Sequence, residues 1–177
     1  GGDPSTTWDF DGLLSSVRNG ISMGLSGVGI WGSDIGGFFA ITADQLSPEL
    51  SARWVQFGAF SGVMRNEADG YSYADTYRPQ VIDSEQIGNW RRYSKIRTQL
   101  YPYISSAAWE YRRSGMPMMR AMLLDFPKDP KSAGLDNQYM FGPDLLVAPV
   151  VEPGQTSRRL YLPEGKWIDF WRTVSYD

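Results

Sequence analysis

Apolar positions in the first part of the chain follow two alternating rhythms. Gly1 to Trp8 is loop-like. Leu14, Val17, Ile21 and Leu25 then fall at helical spacing, with Asp9 or Asp11 as the cap and Gly24 or Gly27 as the stop. Val28 to Trp31 is a short apolar run between glycines, the pattern of a buried parallel strand. Ser47-Pro48-Glu49 combines an N-cap hydroxyl, proline at the first helical position and an acid in the first turn. Leu50, Trp54 and Phe57 share the buried face of the helix that follows. Phe60 to Met64 reads as a second short strand, with Arg65-Asn66-Glu67 at its C-terminal end. Helix, strand, helix, strand is the rhythm of a β/α barrel or a doubly wound sheet.

Residues 67–81, rich in Asp, Tyr and Gly, are expected to form a long loop. Ser84 is placed to cap a long helix carrying Ile87, Trp90, Tyr93, Ile96, Leu100, Ile104 and Tyr111, whose rings are assigned to the core. Pro102 should break or kink that helix, and Gly115 should end it. From Met116 the texture changes. Leu145–Val151, Arg158–Leu162 and Lys166–Trp171 are short strand-like runs separated by Pro and Gly, which reads as an all-β region without helical signal. A boundary near residue 117 divides the chain into 1–116 and 117–177.

Between the first strand and the second helix, Ser33-Asp34-Ile35-Gly36-Gly37-Phe38-Phe39 holds the densest candidate chemistry. An acid at the mouth of a parallel strand, before a flexible glycine turn, is where α/β barrels keep working residues. The same Asp34 could equally cap the next helix. Phe38 and Phe39 can stack on a sugar ring or pack as a lid. Aromatic residues make up 14% of the chain, which suits a carbohydrate site as well as a well-filled core. The sequence contains no Cys and no His, which removes disulfides, thiolates, a structural zinc site and a His-dependent triad. Acid–base chemistry must then fall to carboxylates, Tyr, Lys or Arg. A net charge of −3 argues against nucleic acid or an anionic membrane as the main partner. The chain starts at Gly1-Gly2-Asp3 and stops soon after a predicted strand, so it is expected to be an excerpt of a longer protein.

Taken in order, these segments resemble glycoside hydrolase family 31, the α-glucosidases, α-xylosidases and their relatives. The likeness is carried by Gly29-Ile30-Trp31-Gly32-Ser33-Asp34-Ile35-Gly36-Gly37-Phe38, by 53–60, and by Arg65-Asn66. It continues through Leu100-Tyr101-Pro102-Tyr103, residues 115–120, Asp125-Phe126-Pro127, residues 142–150 and residues 161–167, nearly the whole chain. The resemblance implies an α/β fold: the last strands and helices of a (β/α)8 TIM barrel over 1–116, then the start of a β-sandwich over 117–177.

It also implies roles. Gly2-Asp3 followed by Trp8 matches the family's acid/base pattern, making Asp3 the candidate general acid/base. Asp34 matches a residue at the floor of the sugar pocket, Phe38 an aromatic at its entrance and Trp31 a residue beside it. Arg65 matches an arginine that holds the site's carboxylates. Two departures stand out. The nucleophilic Asp of the family lies upstream of these residues, so the chain alone is expected to be inactive. The position two after the arginine, usually His, is Glu67, here assigned to sugar hydroxyls. The implied function is retaining hydrolysis of terminal α-linked sugars from an oligosaccharide or glycoside, with no cofactor and no metal. A transglycosylase of the same fold and a non-catalytic carbohydrate-binding homologue remain the alternatives.

Overall fold

The computed structural model describes residues 4–38, 46–66 and 83–177. Within them the order of elements is α1 (Leu13–Leu25), β1 (Asp34–Ile35), α2 (Pro48–Ala59), β2 (Arg65–Asn66), α3 (Ile87–Gln99) and α4 (Tyr101–Ser114), then β3 (Met119–Ala121), α5 (Met122–Asp125), β4 (Tyr139–Phe141), β5 (Leu145–Val147), β6 (Trp167–Ile168) and β7 (Ser175–Tyr176). β1 and β2 pair in parallel, Asp34 opposite Arg65 and Ile35 opposite Asn66. β3, β4 and β5 form an antiparallel sheet in that order, and β6–β7 is a separate hairpin.

α2 forms as its sequence dictates. Ser47 Oγ accepts from Leu50 N at 3.1 Å, Pro48 opens the helix, and Leu50, Trp54 and Phe57 are buried. The break at Pro102 and the stop at Gly115 are also present: α3 ends at Gln99, α4 begins at Tyr101, and Gly115 closes it with a φ of +78°. α1 is shorter at its start than expected, and neither Asp9 nor Asp11 caps it. Asp11 has a φ of +61° and accepts from Ser5 Oγ, while the first helical amides, Leu13 N and Leu14 N, donate to the Thr7 and Trp8 carbonyls. The buried face carries Leu13, Val17 and Ile21; Leu25 is exposed. Ser84 likewise does not cap α3, because the Asp83 carbonyl already accepts from Gln86 N and Ile87 N.

Both predicted strands of the first half are displaced. Val28–Trp31 is not a buried ladder: Val28 and Ile30 are exposed, and the carbonyls of Gly29 and Trp31 bond to separate neighbours, Met118 N and Val63 N. Regular pairing is reached only at Asp34. The second strand likewise falls at Arg65–Asn66 rather than at 60–64, which forms the turn after α2. Tyr93 is buried as assigned, but Tyr101 and Trp109 lie on the surface, the Arg112 guanidinium 5.3 Å from the centre of the Trp109 ring.

Residues 117–177 are not all β, since α5 and a 3₁₀ turn at Ser132–Gly134 interrupt the strands. β3 and β4 escaped the sequence pattern, and β5 ends at Val147, just before Pro149, which has no N–H to pair. Arg158–Leu162 is not a strand either. The buried Gln138 side chain takes the place of a neighbouring strand there, its amide donating to Tyr161 O at 2.7 Å and its carbonyl accepting from Tyr161 N at 2.8 Å. Gln138→Leu keeps the volume but removes both bonds, and should cost about 2 kcal/mol in a denaturant unfolding experiment.

One apolar core runs from Leu13 to Val151, with Trp31, Trp54, Phe57, Tyr139 and Phe141 among its largest members. α1 lies close enough to the first strand region that a Cβ on Gly20 would sit 2.8 Å from the Trp31 ring. Only glycine permits that approach.

Candidate active site

The site forms where β1 and β2 run side by side. Parallel pairing puts Asp34 directly opposite Arg65, so the two side chains leave the sheet on the same face. Both Nε and Nη2 of Arg65 engage Oδ1 of Asp34. The carboxylate is 1% exposed, whereas the arginine side chain is 55% exposed. Asp34 Oδ2 is buried and has no hydrogen-bond partner among the described residues. One oxygen of the carboxylate is thus neutralised by a cation and the other is left as an acceptor. A buried acceptor of that kind costs free energy unless a donor is supplied, and a ligand hydroxyl can supply one.

The turn after Asp34 is tied to the start of the described chain. Gly37 N donates to Asp34 O at 3.0 Å, Phe38 N to Pro4 O at 2.7 Å, and Thr6 Oγ1 to Gly36 O at 3.0 Å. Gly37 has a φ of +80°, and a Cβ there would meet the Ser5 carbonyl at 2.9 Å. A side chain at that position would push the two segments apart. The segment Pro4–Thr6 is therefore fixed beside the Asp34 turn, with half-buried Phe38 at its edge. Thr6, buried and bonded across the turn, falls in a stretch that the sequence pattern marks only as loop-like. Its position three residues after the candidate acid was the available signal.

Trp31 and Ser33 occupy the other face of the same extended segment, as alternation requires. The Trp31 ring packs toward Gly20 on α1 and Phe57 on α2, 6.5 Å between the latter centroids. Ser33 Oγ accepts from Trp54 Nε1 at 2.8 Å, which anchors the segment to α2. The structure thus brings Asp34 and Arg65 together, keeps Phe38 near them, and turns Trp31 into the core. Trp31 Nε1 has no partner among the described residues and borders a polar cavity of about 60 Å³ lined by Pro4, Ser15, Asn19 and Ser33. Asp3 and Glu67 lie outside the described residues, as does Phe39.

Two other hollows lie elsewhere. An apolar cleft of about 200 Å³ runs between Phe60, Tyr93, Leu145 and Trp171, and a polar one of about 460 Å³ lies around Glu152 and Arg158. Neither includes Asp34 or Arg65, so neither competes as the carboxylate site. Among the described residues no cluster of three or more acidic ligands could hold a metal ion, and no helix is long and apolar enough to cross a membrane.

Comparison with known proteins gives a consistent picture. Residues 1–107 match the model of the glycosyl hydrolases family 31 TIM-barrel domain, and residues 115–177 that of the glycosyl hydrolase family 31 C-terminal domain. The chain is 38% identical to an isomaltosyltransferase of Sporosarcina globispora over 99% of its own length and 17% of that protein. It is 37% identical to a sulfoquinovosidase of Escherichia coli, covering 96% of the chain and 25% of the relative. A solved structure of a GH31 family sulfoquinovosidase from E. rectale, in complex with an aza-sugar inhibitor, superposes with a TM-score of 0.90 at 29% identity, over 99% of this chain and 26% of that one. The chain therefore spans between a sixth and about a quarter of these relatives.

Proposed function

The chain belongs to glycoside hydrolase family 31, and from that premise we propose that it is part of a retaining enzyme acting on terminal α-linked sugars of oligosaccharides or glycosides. Residues 1–116 are read as the last part of a (β/α)8 barrel and 117–177 as the first part of a β-sandwich. The observation that carries the functional reading is the buried Asp34 carboxylate, with Arg65 on one oxygen and the other oxygen without a partner among the described residues. That is a ready acceptor for a sugar hydroxyl.

Asp3 takes the role of general acid/base. Support comes from its sequence neighbour Pro4, whose carbonyl is bonded to the amide of Phe38 beside the Asp34 turn. Retaining hydrolysis places two carboxyl groups about 5–5.5 Å apart; one attacks the anomeric carbon while the other protonates the leaving oxygen and then activates water. The attacking carboxylate is expected from a part of the barrel not included in these residues. Asp34 fixes a hydroxyl of the cleaved sugar, Arg65 orients the Asp34 carboxylate through the bonds to its Oδ1, and Phe38 covers the entrance. Trp31 backs the strand from behind. Glu67 reaches sugar hydroxyls as an acceptor, where a neutral imidazole could accept only once.

The likeness to an isomaltosyltransferase favours a second reading, in which a sugar hydroxyl replaces water as the acceptor. A panel of aryl α-glycosides assayed on the protein that carries this chain tests both. Release of the aryl group with an α-configured first product, read by proton NMR before mutarotation, is the expected result. Larger saccharides on adding free sugar would indicate transfer. Binding without turnover on every member of the panel would leave only the carbohydrate-binding homologue.

A further inference from the structure

The turn that links α2 to β2 has every carbonyl from Gly58 to Gly62 supplied with a side-chain donor from elsewhere in the chain. Arg97 of α3 donates through Nη1 to the carbonyls of Gly58 at 3.5 Å, Ala59 at 3.1 Å and Ser61 at 2.6 Å, and through Nη2 to Gly62 at 2.8 Å. The remaining carbonyl, that of Phe60, accepts from Tyr139 Oη of β4 at 2.7 Å. Helix ends leave their last carbonyls without intrahelical partners, and a left-handed cap or water normally serves them. Here two side chains from two separate elements do so. Tyr139 is fully buried, and burial raises its phenol well above the usual range against the lowering influence of Arg97. Its O–H therefore stays a donor across the working pH range.

The turn is the only covalent approach to β2 from α2. Immediately after Gly62, Val63 N donates to Trp31 O at 3.0 Å, and two residues later Arg65 pairs with Asp34. A Cβ on Gly62 would lie 2.8 Å from the backbone of Trp31, so the segments are already at closest approach. We propose that Arg97 and Tyr139 are positioning residues that clamp this turn and so set where Arg65 meets Asp34, which makes the C-terminal sheet, through Tyr139, a contributor to the geometry of the sugar site. The consequence for catalysis rests on the proposed function above; the clamp itself does not.

Tyr139→Phe removes one hydroxyl without changing the packing, and Arg97→Lys keeps the charge but cannot reach four carbonyls at once. Tyr103→Phe serves as the control: its hydroxyl donates to Phe141 O at 2.7 Å and accepts from Asp144 N at 2.9 Å, and it makes no bond to the 58–62 carbonyls. Hydrogen exchange of the 58–66 segment, measured on the protein that carries this chain, should lose at least tenfold protection in Tyr139→Phe and Arg97→Lys and none in Tyr103→Phe. Unchanged exchange overturns the clamp. In the aryl glycoside assay, kcat/KM should fall about tenfold in both clamp variants at a temperature where all variants are fully folded. The loss in Arg97→Ala should be partly restored by added guanidinium at concentrations that leave the parent unaffected. An equal loss in Tyr103→Phe, or no loss despite faster exchange, overturns the positioning role. A parent without turnover would instead count against the enzymatic reading, while the exchange result continues to decide the clamp.

Discussion

Asp3→Asn should reduce kcat/KM for an unactivated disaccharide by about a thousandfold, within the range that general acid–base catalysis contributes. The loss has a specific chemical shape. Cleaving a sugar–sugar bond expels a poor leaving group that needs a proton, and asparagine cannot supply it. A nitrophenolate leaves without protonation, so the first step on an aryl glycoside should be nearly spared. The second step still needs a base to activate water, and the glycosyl-enzyme should accumulate. Azide needs no base and should restore turnover, giving a glycosyl azide of retained configuration. Measurement of kcat/KM on both substrates, and of kcat on the aryl glycoside with and without azide, decides the matter. Equal losses on the two substrates would remove Asp3 from the role.

The largest effect on stability is expected at Arg120. This residue is 2% exposed, pairs with Glu110 on α4, donates to Asp125 at 3.0 Å and to the Pro117 carbonyl at 3.0 Å. It joins α4, β3 and α5 through a single guanidinium. Arg120→Met should destabilise by about 3 kcal/mol, the scale of breaking a buried ion pair from one side. Burial raises the Asp125 carboxyl above its ordinary value, and Arg120 opposes that rise. A carboxyl with a raised folded pKa takes up a proton on folding, so stability falls as pH increases from the ordinary carboxylate range through the raised value. Without Arg120 that window extends upward. The deficit of Arg120→Met relative to the parent should therefore be larger at pH 8 than near pH 5, as read by denaturant midpoints. A gap that does not change with pH would mean that Asp125 is not the charge left behind.

The sequence carried those features that depend on local chemistry. Ser47-Pro48-Glu49 starts α2, Pro102 divides α3 from α4 and Gly115 stops α4, because each acts on the backbone within a turn of itself. Asp34 and Arg65 were each named from the chain, 31 residues apart, and the parallel pairing brings them into contact. What stayed hidden depends on distant partners. Asp9, Asp11 and Ser84 have capping chemistry, but backbone carbonyls of Thr7, Trp8 and Asp83 were already in place. Arg158–Leu162 alternates like a strand, yet its neighbour is the side chain of Gln138. Trp31 stands three residues before Asp34 in an extended segment, so its ring faces the helices and not Arg65. A pattern reports which way a residue can face, not what waits there.

The bonds that join α2 to the C-terminal part of the chain also bear on how such a protein can exchange pieces with its relatives. Glu49 accepts from Gly154 N at 3.0 Å, Arg53 donates to Gln155 O at 2.7 Å, and Tyr139 reaches Phe60. All three span the interval between residues 107 and 115, where the two family models part. A crossover placed there by recombination would leave the backbone acceptors on Gln155 and Phe60 available from any parent, but not the side chains that serve them. Glu49, Arg53 and Tyr139 would have to be inherited together with the turns they hold, so this junction separates names more cleanly than it separates working parts.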